Sequence, residues 1–187
     1  MRKTAVVYQS AYGATEAYAR EIARAVSADL FQLKDATPSR LEDYDTLLFG
    51  GGIYAGTIQG ARLMEKRFAQ LPGKLLAVFS VGFTPADRAD ILTKVAEKSF
   101  SESTRKRIRF FHLPAGIDYP HLRPLHRLML AFPHFILAHK PEQALTEANK
   151  KALAAYGKPR QPLPLEQIQP LVEYVRSASV APTPQAD

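Results

Sequence analysis

Hydrophobic positions in the first 113 residues occur alternately as short continuous runs and at helical spacing. Ala5-Val6-Val7-Tyr8 is a continuous apolar run, the mark of a strand buried on both faces. After a turn at residues 10–13, Ala19, Ile22, Ala23 and Val26 fall on one face of a helix. Leu30, Phe31 and Leu33 predict a second strand over residues 29–33, and Thr46-Leu47-Leu48-Phe49 a third that ends abruptly in Gly50-Gly51-Gly52. Ala61, Met64, Phe68 and Leu71 give the next helix, closed near Gly73. A fourth strand follows at Leu75–Phe79, a helix through Ile91, Leu92 and Val95, and a fifth strand from Ile108 to Leu113. Strands alternating with helices of this length imply βαβ units with right-handed crossovers. The expected fold is therefore an α/β three-layer sandwich around a five-stranded parallel sheet.

The period changes after the fifth strand. Residues 120–140 form a basic, aromatic and apolar insert interrupted by Pro124 and Pro133. Written as a helix over 121–132, it puts Arg123 and Arg127 at i, i+4. Leu122, Leu125, Met129 and Phe132 lie on another face, widened by Leu128 and Leu130. Phe135-Ile136-Leu137 continues it to His139-Lys140. Leu145, Ala148, Ala152 and Ala155 then predict a helix closed by Gly157. A linker over 158–164 with three prolines leads to a last helix with Leu165, Ile168, Val172 and Val175 inward. Residues 1–179 are expected to form a single domain, and 180–187 a disordered tail.

Charge and cysteine content narrow the chemistry. The 187 residues carry 25 Lys and Arg against 18 Asp and Glu, a net charge of +7. Residues 101–187 hold 12 of those bases against 7 acids, so most of the excess accompanies the insert. Such a balance favours anionic partners. No nucleic-acid motif is present, and Arg105-Lys106-Arg107-x-Arg109 reads as a solvated edge, so nucleic acid is not expected. The absence of cysteine excludes disulfides, thiolate nucleophiles and Cys-ligated metals. Redox chemistry would then need a bound cofactor. His121, His126, His134 and His139 suggest a metal site, but Pro133 interrupts their spacing and no acidic ligand accompanies them, so none is expected. No apolar run reaches membrane-span length, and Ala5–Tyr8 is too short for a signal peptide. A cytoplasmic protein is expected, with possible peripheral contact at the inner face of the cell membrane through residues 120–140.

In an open parallel sheet, ligands bind outside the carboxyl ends of the strands. Three loops there are rich in small and hydroxyl residues. Ser10-Ala11-Tyr12-Gly13-Ala14-Thr15 runs straight into a helix N-terminus, where free backbone N–H groups and the helix dipole suit a phosphate. A plain capped turn would explain the same residues. Gly52-Ile53-Tyr54-Ala55-Gly56, which begins with the last of three consecutive glycines, offers close backbone approach and an apolar pair to cover a flat ring. Ser80-Val81-Gly82-Phe83 supplies a further aromatic.

These loops resemble those of flavodoxins. Val6 to Glu16 is similar to the family's phosphate loop at Ser10, Gly13 and Thr15 and departs from it at Tyr12, where a second compact hydroxyl is common. The segments at 50–57 and 80–84 resemble the two flavin-ring loops. The resemblance implies a flavodoxin-like sheet of order 2-1-3-4-5 and FMN as cofactor, held by Ser10 to Thr15, Gly52 to Gly56 and Ser80 to Phe83. The Gly-rich loop containing Tyr54, the exit Ala115-Gly116-Ile117-Asp118-Tyr119-Pro120 and the basic insert are similar to the branch containing the menaquinone-dependent protoporphyrinogen oxidases of bacteria. That resemblance implies an FMN-dependent oxidoreductase passing electrons from a hydrophobic anionic, porphyrinogen-like substrate to a quinone. Arg123 and Arg127 would attract substrate carboxylates or anionic lipid. The redox chemistry would be the flavin's, and no residue stands out as a general base. A flavodoxin-type carrier between protein partners, or a non-catalytic flavin-binding module, would use the same loops.

Overall fold

A computed structural model describes residues 3–84 and 88–180. The chain runs through β1 (Thr4–Gln9), α1 (Ala14–Val26), β2 (Asp29–Gln32), α2 (Pro38–Leu41), β3 (Thr46–Tyr54), β4 (Thr57–Ile58), α3 (Ala61–Ala69), β5 (Leu75–Gly82), α4 (Ala89–Ser99), α5 (Glu102–Arg105), β6 (Ile108–Pro114), α6 (Pro124–Ala138), α7 (Glu147–Ala155) and α8 (Gln169–Val180). Five strands pair in parallel in the order β2-β1-β3-β5-β6. Counting parallel strands only, this is the expected order 2-1-3-4-5. The expected tail lies outside the described residues except for Val180, which ends α8.

Alternation along strands buried on both faces builds two cores. Val7, Leu47, Phe49 and Val78 point to one side of the sheet, against Met64 and Phe68 of α3 and Val95 of α4. Val6, Leu48, Ala77 and Phe79 point to the other, against Tyr18, Ala19 and Ile22 of α1 and Leu171, Val172 and Val175 of α8. The helices therefore cover both faces, as parallel strands require. Leu165, expected inward, is exposed in the 3-10 turn before α8, while Ile168 is buried as expected and Leu171 fills the next inward position.

Two departures from the sequence pattern bear on the site. The third strand does not end at the glycines: β3 continues to Tyr54, with Gly50, Gly51 and Gly52 paired to Phe79, Ser80 and Val81. It then folds back as a short antiparallel hairpin onto β4. A Cβ on Gly50 would stand 2.0 Å from the Phe79 ring, and one on Gly51 would stand 2.4 Å from Ile58 Cγ2. Glycine at these two positions therefore makes room for the protein's own core rather than for a turn. The hairpin is tied down by Ser99, whose hydroxyl accepts the Ile58 N–H at 2.9 Å and donates to the Val95 carbonyl.

The insert helix also differs. It begins at Pro124, where a proline suits the first helical position, and continues through position 133 to Ala138. The four histidines of residues 120–140, two of them in the helix, each have a protein partner: His121 with Asp118 at 3.0 Å, His126 with Tyr12, His134 stacked on Tyr156 at 3.6 Å, and His139 with the Phe135 carbonyl.

Candidate functional site

The carboxyl ends of β1, β3, β5 and β6 open onto one cavity of about 350 Å³, within the range of small-molecule sites. From the first loop, Ser10, Ala11, Tyr12, Ala14 and Thr15 line it. Gly52, Ile53, Tyr54 and Ala55 come from the β3 hairpin, and Val81, Gly82 and Phe83 from the end of β5. These expected residues, separated by up to 73 positions, meet in a single wall. Gly13 and Gly56 lie beside the cavity rather than in it, both with left-handed backbone that their turns demand (φ 81° and 76°).

Ser80 is a correction. It is fully buried, and its hydroxyl lies 2.8 Å from His112 Nδ1 rather than in the cavity. On the other ring edge, His112 Nε2 stands 2.7 Å from the Thr84 carbonyl, which only accepts. The proton is therefore on Nε2, and Nδ1 accepts from Ser80. Burial lowers the pKa of His112 below its ordinary value, with the Thr84 bond opposing this, so the ring favours the neutral state. The Ser80–His112–Thr84 chain fastens the loop that carries Phe83, a side chain left 40% exposed at the cavity mouth. Residue 85, the end of that loop, lies outside the described residues.

At the first loop, Ser10 Oγ accepts the Gly13 N–H at 3.1 Å, and the first bond of α1 runs from the Ala17 N–H to the Gly13 carbonyl at 2.9 Å. The N–H groups of Ala14, Thr15 and Glu16 stand outside that ladder, the arrangement that binds anions. Tyr12 explains its departure from the flavodoxin pattern. Its hydroxyl points away to the insert, where it bonds His126 Nδ1 and accepts a long bond (3.5 Å) from the Arg123 N–H at the start of α6. The His126 ring also packs on Tyr54, with centroids 4.8 Å apart.

Several wall residues carried no sequence signal strong enough to place them. Ala115 to Asp118 come from the β6 exit, Leu122, His126 and Leu130 from the insert, Gln59 from the hairpin, and Arg160 from the proline-rich linker. The exit is positioned from below by Tyr18, whose buried hydroxyl donates to the Pro114 carbonyl at 2.7 Å. Burial pushes the Tyr18 pKa up to about 12. Asp118 is held below the usual carboxylate range, first by its bond to His121. Arg123 and Arg127 do not line the cavity. Arg127 instead donates to the carbonyls of Tyr119 and Pro120, at 3.4 and 3.2 Å, clamping the turn before α6.

The family model of the flavodoxin domain matches residues 5–144. The chain belongs to the flavodoxin domain family. No curated protein sequence matches it at a significant level. Solved structures similar to it include a flavodoxin from the domain Archaea, at 16% identity over 81% of this chain and 94% of that one, TM-score 0.44. A WrbA-like flavodoxin from Agrobacterium tumefaciens is 20% identical over 58% of this chain and 75% of its own, TM-score 0.45. The two-electron reduced flavodoxin of Megasphaera elsdenii is 20% identical over 59% and 85%, TM-score 0.42. FMN is the cofactor that membership in the flavodoxin family carries.

The residues present fit that group. Gly52 faces a polar cradle, where an added Cβ would come to 3.4 Å from Gln59 Oε1, 3.6 Å from Thr15 Oγ1 and 4.0 Å from the Val81 carbonyl. Ile53, Tyr54, Val81 and Phe83 offer flat apolar and aromatic surface beside it. A phosphate acceptor at one end and an apolar slot at the other match a flavin mononucleotide.

Proposed function

We propose that this flavodoxin-family protein is an FMN-dependent oxidoreductase that dehydrogenates a hydrophobic, anionic, protoporphyrinogen-like substrate and passes the electrons to a quinone. When bound, FMN would supply the two-electron chemistry. The protein positions it, shapes the substrate space and excludes water. Ser10 to Thr15 would hold the phosphate. Gly52 to Ala55 and Val81 to Phe83 would flank the ring.

The observation that carries this reading is the insert: Leu122, His126 and Leu130 wall the cavity that the sheet loops open. An electron carrier needs its flavin edge open to protein partners, whereas an apolar wall beside the cofactor provides for a small apolar reactant. The insert also has an outward face. Leu128, Phe132, Phe135 and Ile136 are 70%, 69%, 60% and 45% exposed. No acidic residue lies between Asp118 and Glu142, while Arg123, Arg127 and Lys140 are basic. Such a face suits an anionic membrane surface, where a quinone resides. Among the described residues, no helix is long and apolar enough to cross a membrane, so this contact would be peripheral.

The test is an anaerobic assay of the FMN-loaded protein with protoporphyrinogen IX and a menaquinone analogue, read by porphyrin fluorescence. Acceleration that requires both FMN and the quinone is expected. A rate equal to the spontaneous one would leave the carrier reading in its place.

A further inference from the structure

The first loop is short of charge for a dianionic phosphate. It contains no Lys or Arg between Ser10 and Thr15, Ser10 Oγ already accepts the Gly13 N–H, and the Tyr12 hydroxyl is engaged by the insert. The one Lys or Arg among the described residues of the cavity wall arrives from far along the chain. Arg160, in the linker between α7 and α8, donates from Nη1 to the Tyr12 carbonyl at 3.3 Å, within the loop itself. Its stem is steadied by the β6 exit, since a Cβ on Gly116 would stand 3.5 Å from Arg160 Cγ. The neighbouring Lys158 carbonyl accepts the Tyr119 N–H at 3.3 Å, which holds the linker against that exit. Asp118, on the same wall, feels the charge of Arg160 but is bonded first to His121 and forms no ion pair with the guanidinium among the described residues, and one carbonyl uses one of its five N–H donors.

We propose that Arg160 supplies the counter-charge for the FMN phosphate, so that the proline-rich linker forms part of the cofactor site. The guanidinium is planar, permanently charged and matched to phosphate oxygens, and its position on the Tyr12 carbonyl is set by the folded chain before any ligand arrives. The inference rests on FMN binding and is independent of which substrate the loaded protein oxidises.

FMN and riboflavin differ by the phosphate alone, so comparing their affinities isolates the contribution of Arg160. Each is titrated by flavin-fluorescence quenching into the wild-type chain, Arg160→Gln and Arg160→Lys, with far-UV circular dichroism of the ligand-free chains confirming the fold. The expected result is a loss of FMN affinity in Arg160→Gln of about ten- to hundred-fold, the range of a charge-assisted pair. Riboflavin affinity should change less than about two-fold, within the scatter that surface changes produce. Arg160→Lys, keeping charge but losing the fork, should fall between wild type and Gln for FMN. Raising salt should weaken FMN binding more in the wild type than in Arg160→Gln. Equal losses for both flavins would overturn the proposal, because Arg160 would then only shape the loop. Unchanged affinity for both would overturn it as well. A wild-type chain that binds neither flavin is a separate result, and overturns the cofactor assignment itself.

Discussion

The three consecutive glycines of β3 should respond very differently to the same added methyl group. Gly50→Ala would bring Cβ to 2.0 Å from Cζ, 2.2 Å from Cε2 and 2.7 Å from Cε1 of Phe79, a ring that is completely buried. That ring has no free volume to enter, since Leu48, Ala77 and Val81 pack around the same core. Overpacking on this scale exceeds one methylene forced into a tolerant site, so a destabilisation of about 3 kcal/mol or more is expected. In a chain of 187 residues that is a fall of roughly 6–12 °C in Tm. Gly51→Ala meets Ile58 Cγ2 at 2.4 Å and the Gln59 carbonyl at 2.6 Å, and because the second is backbone its cost should be at least as large. Gly52→Ala meets nothing nearer than 3.4 Å, so it should fold with stability within about 1 kcal/mol of wild type yet weaken flavin binding through its place in the cavity wall. Chemical denaturation gives the stabilities, and fluorescence titration with FMN gives the affinities. Phe79→Leu in the Gly50→Ala background should recover part of the loss, a coupling that a double-mutant cycle measures. Equal stabilities for all three single variants would refute the assignment of Gly50 and Gly51 to packing and of Gly52 to the site.

Three further outcomes follow from the contacts around the cavity. His112 is held neutral by burial, so the unfolded chain binds its proton more readily. Its contribution to stability is complete above about pH 6.5 and declines as pH falls below that value, with a slope of at most about 1.4 kcal/mol per pH unit. Denaturation midpoints from pH 7.5 to 5 should show a steeper decline for wild type than for His112→Gln, and parallel curves would contradict the assignment. Tyr12→Phe removes the hydroxyl that links the phosphate loop to His126, worth about 1 kcal/mol, so amides in α6 should exchange roughly five-fold faster while those of β1 are unchanged. Replacing exposed Leu128 and Phe132 together by Ser should leave Tm within a few degrees and reduce flotation with anionic liposomes; undiminished flotation would remove the apolar face as the cause.

What was legible in the sequence, and what was not, divides along physical lines. Strands buried on both faces leave unbroken apolar runs, which mark β1 and the first five residues of β5, while the half-buried edge strands β2 and β6 are legible from the spacing of their apolar residues. The end of β3 is not. Glycine disfavours strands in general, and only the three-dimensional neighbours, Phe79 and Ile58, make it necessary there. The side of the sheet that Ser80 takes is not legible, because loop composition does not fix where a side chain points. A shift of one residue turns it from the cavity to His112.

The insert shows the same limit in helical form. Spacing at i, i+4 marks the faces of the helix and charge singles out Arg123 and Arg127, whereas the cavity takes His126 and Leu130, on a face one residue, or about 100°, away. A periodic pattern defines faces without naming what each one meets. Tyr12 settles the phase: by bonding His126 it turns that face inward, and with His126 and Leu130 committed to the cavity, Leu128, Phe132 and Ile136 are carried to the far side of the helix. A single helix thereby connects the cofactor cavity to an exposed apolar surface. The Tyr12–His126 bond joins the two faces, so Tyr12→Phe should change FMN affinity by fluorescence titration and liposome flotation together, whereas an insert that serves only as packing would leave both unchanged.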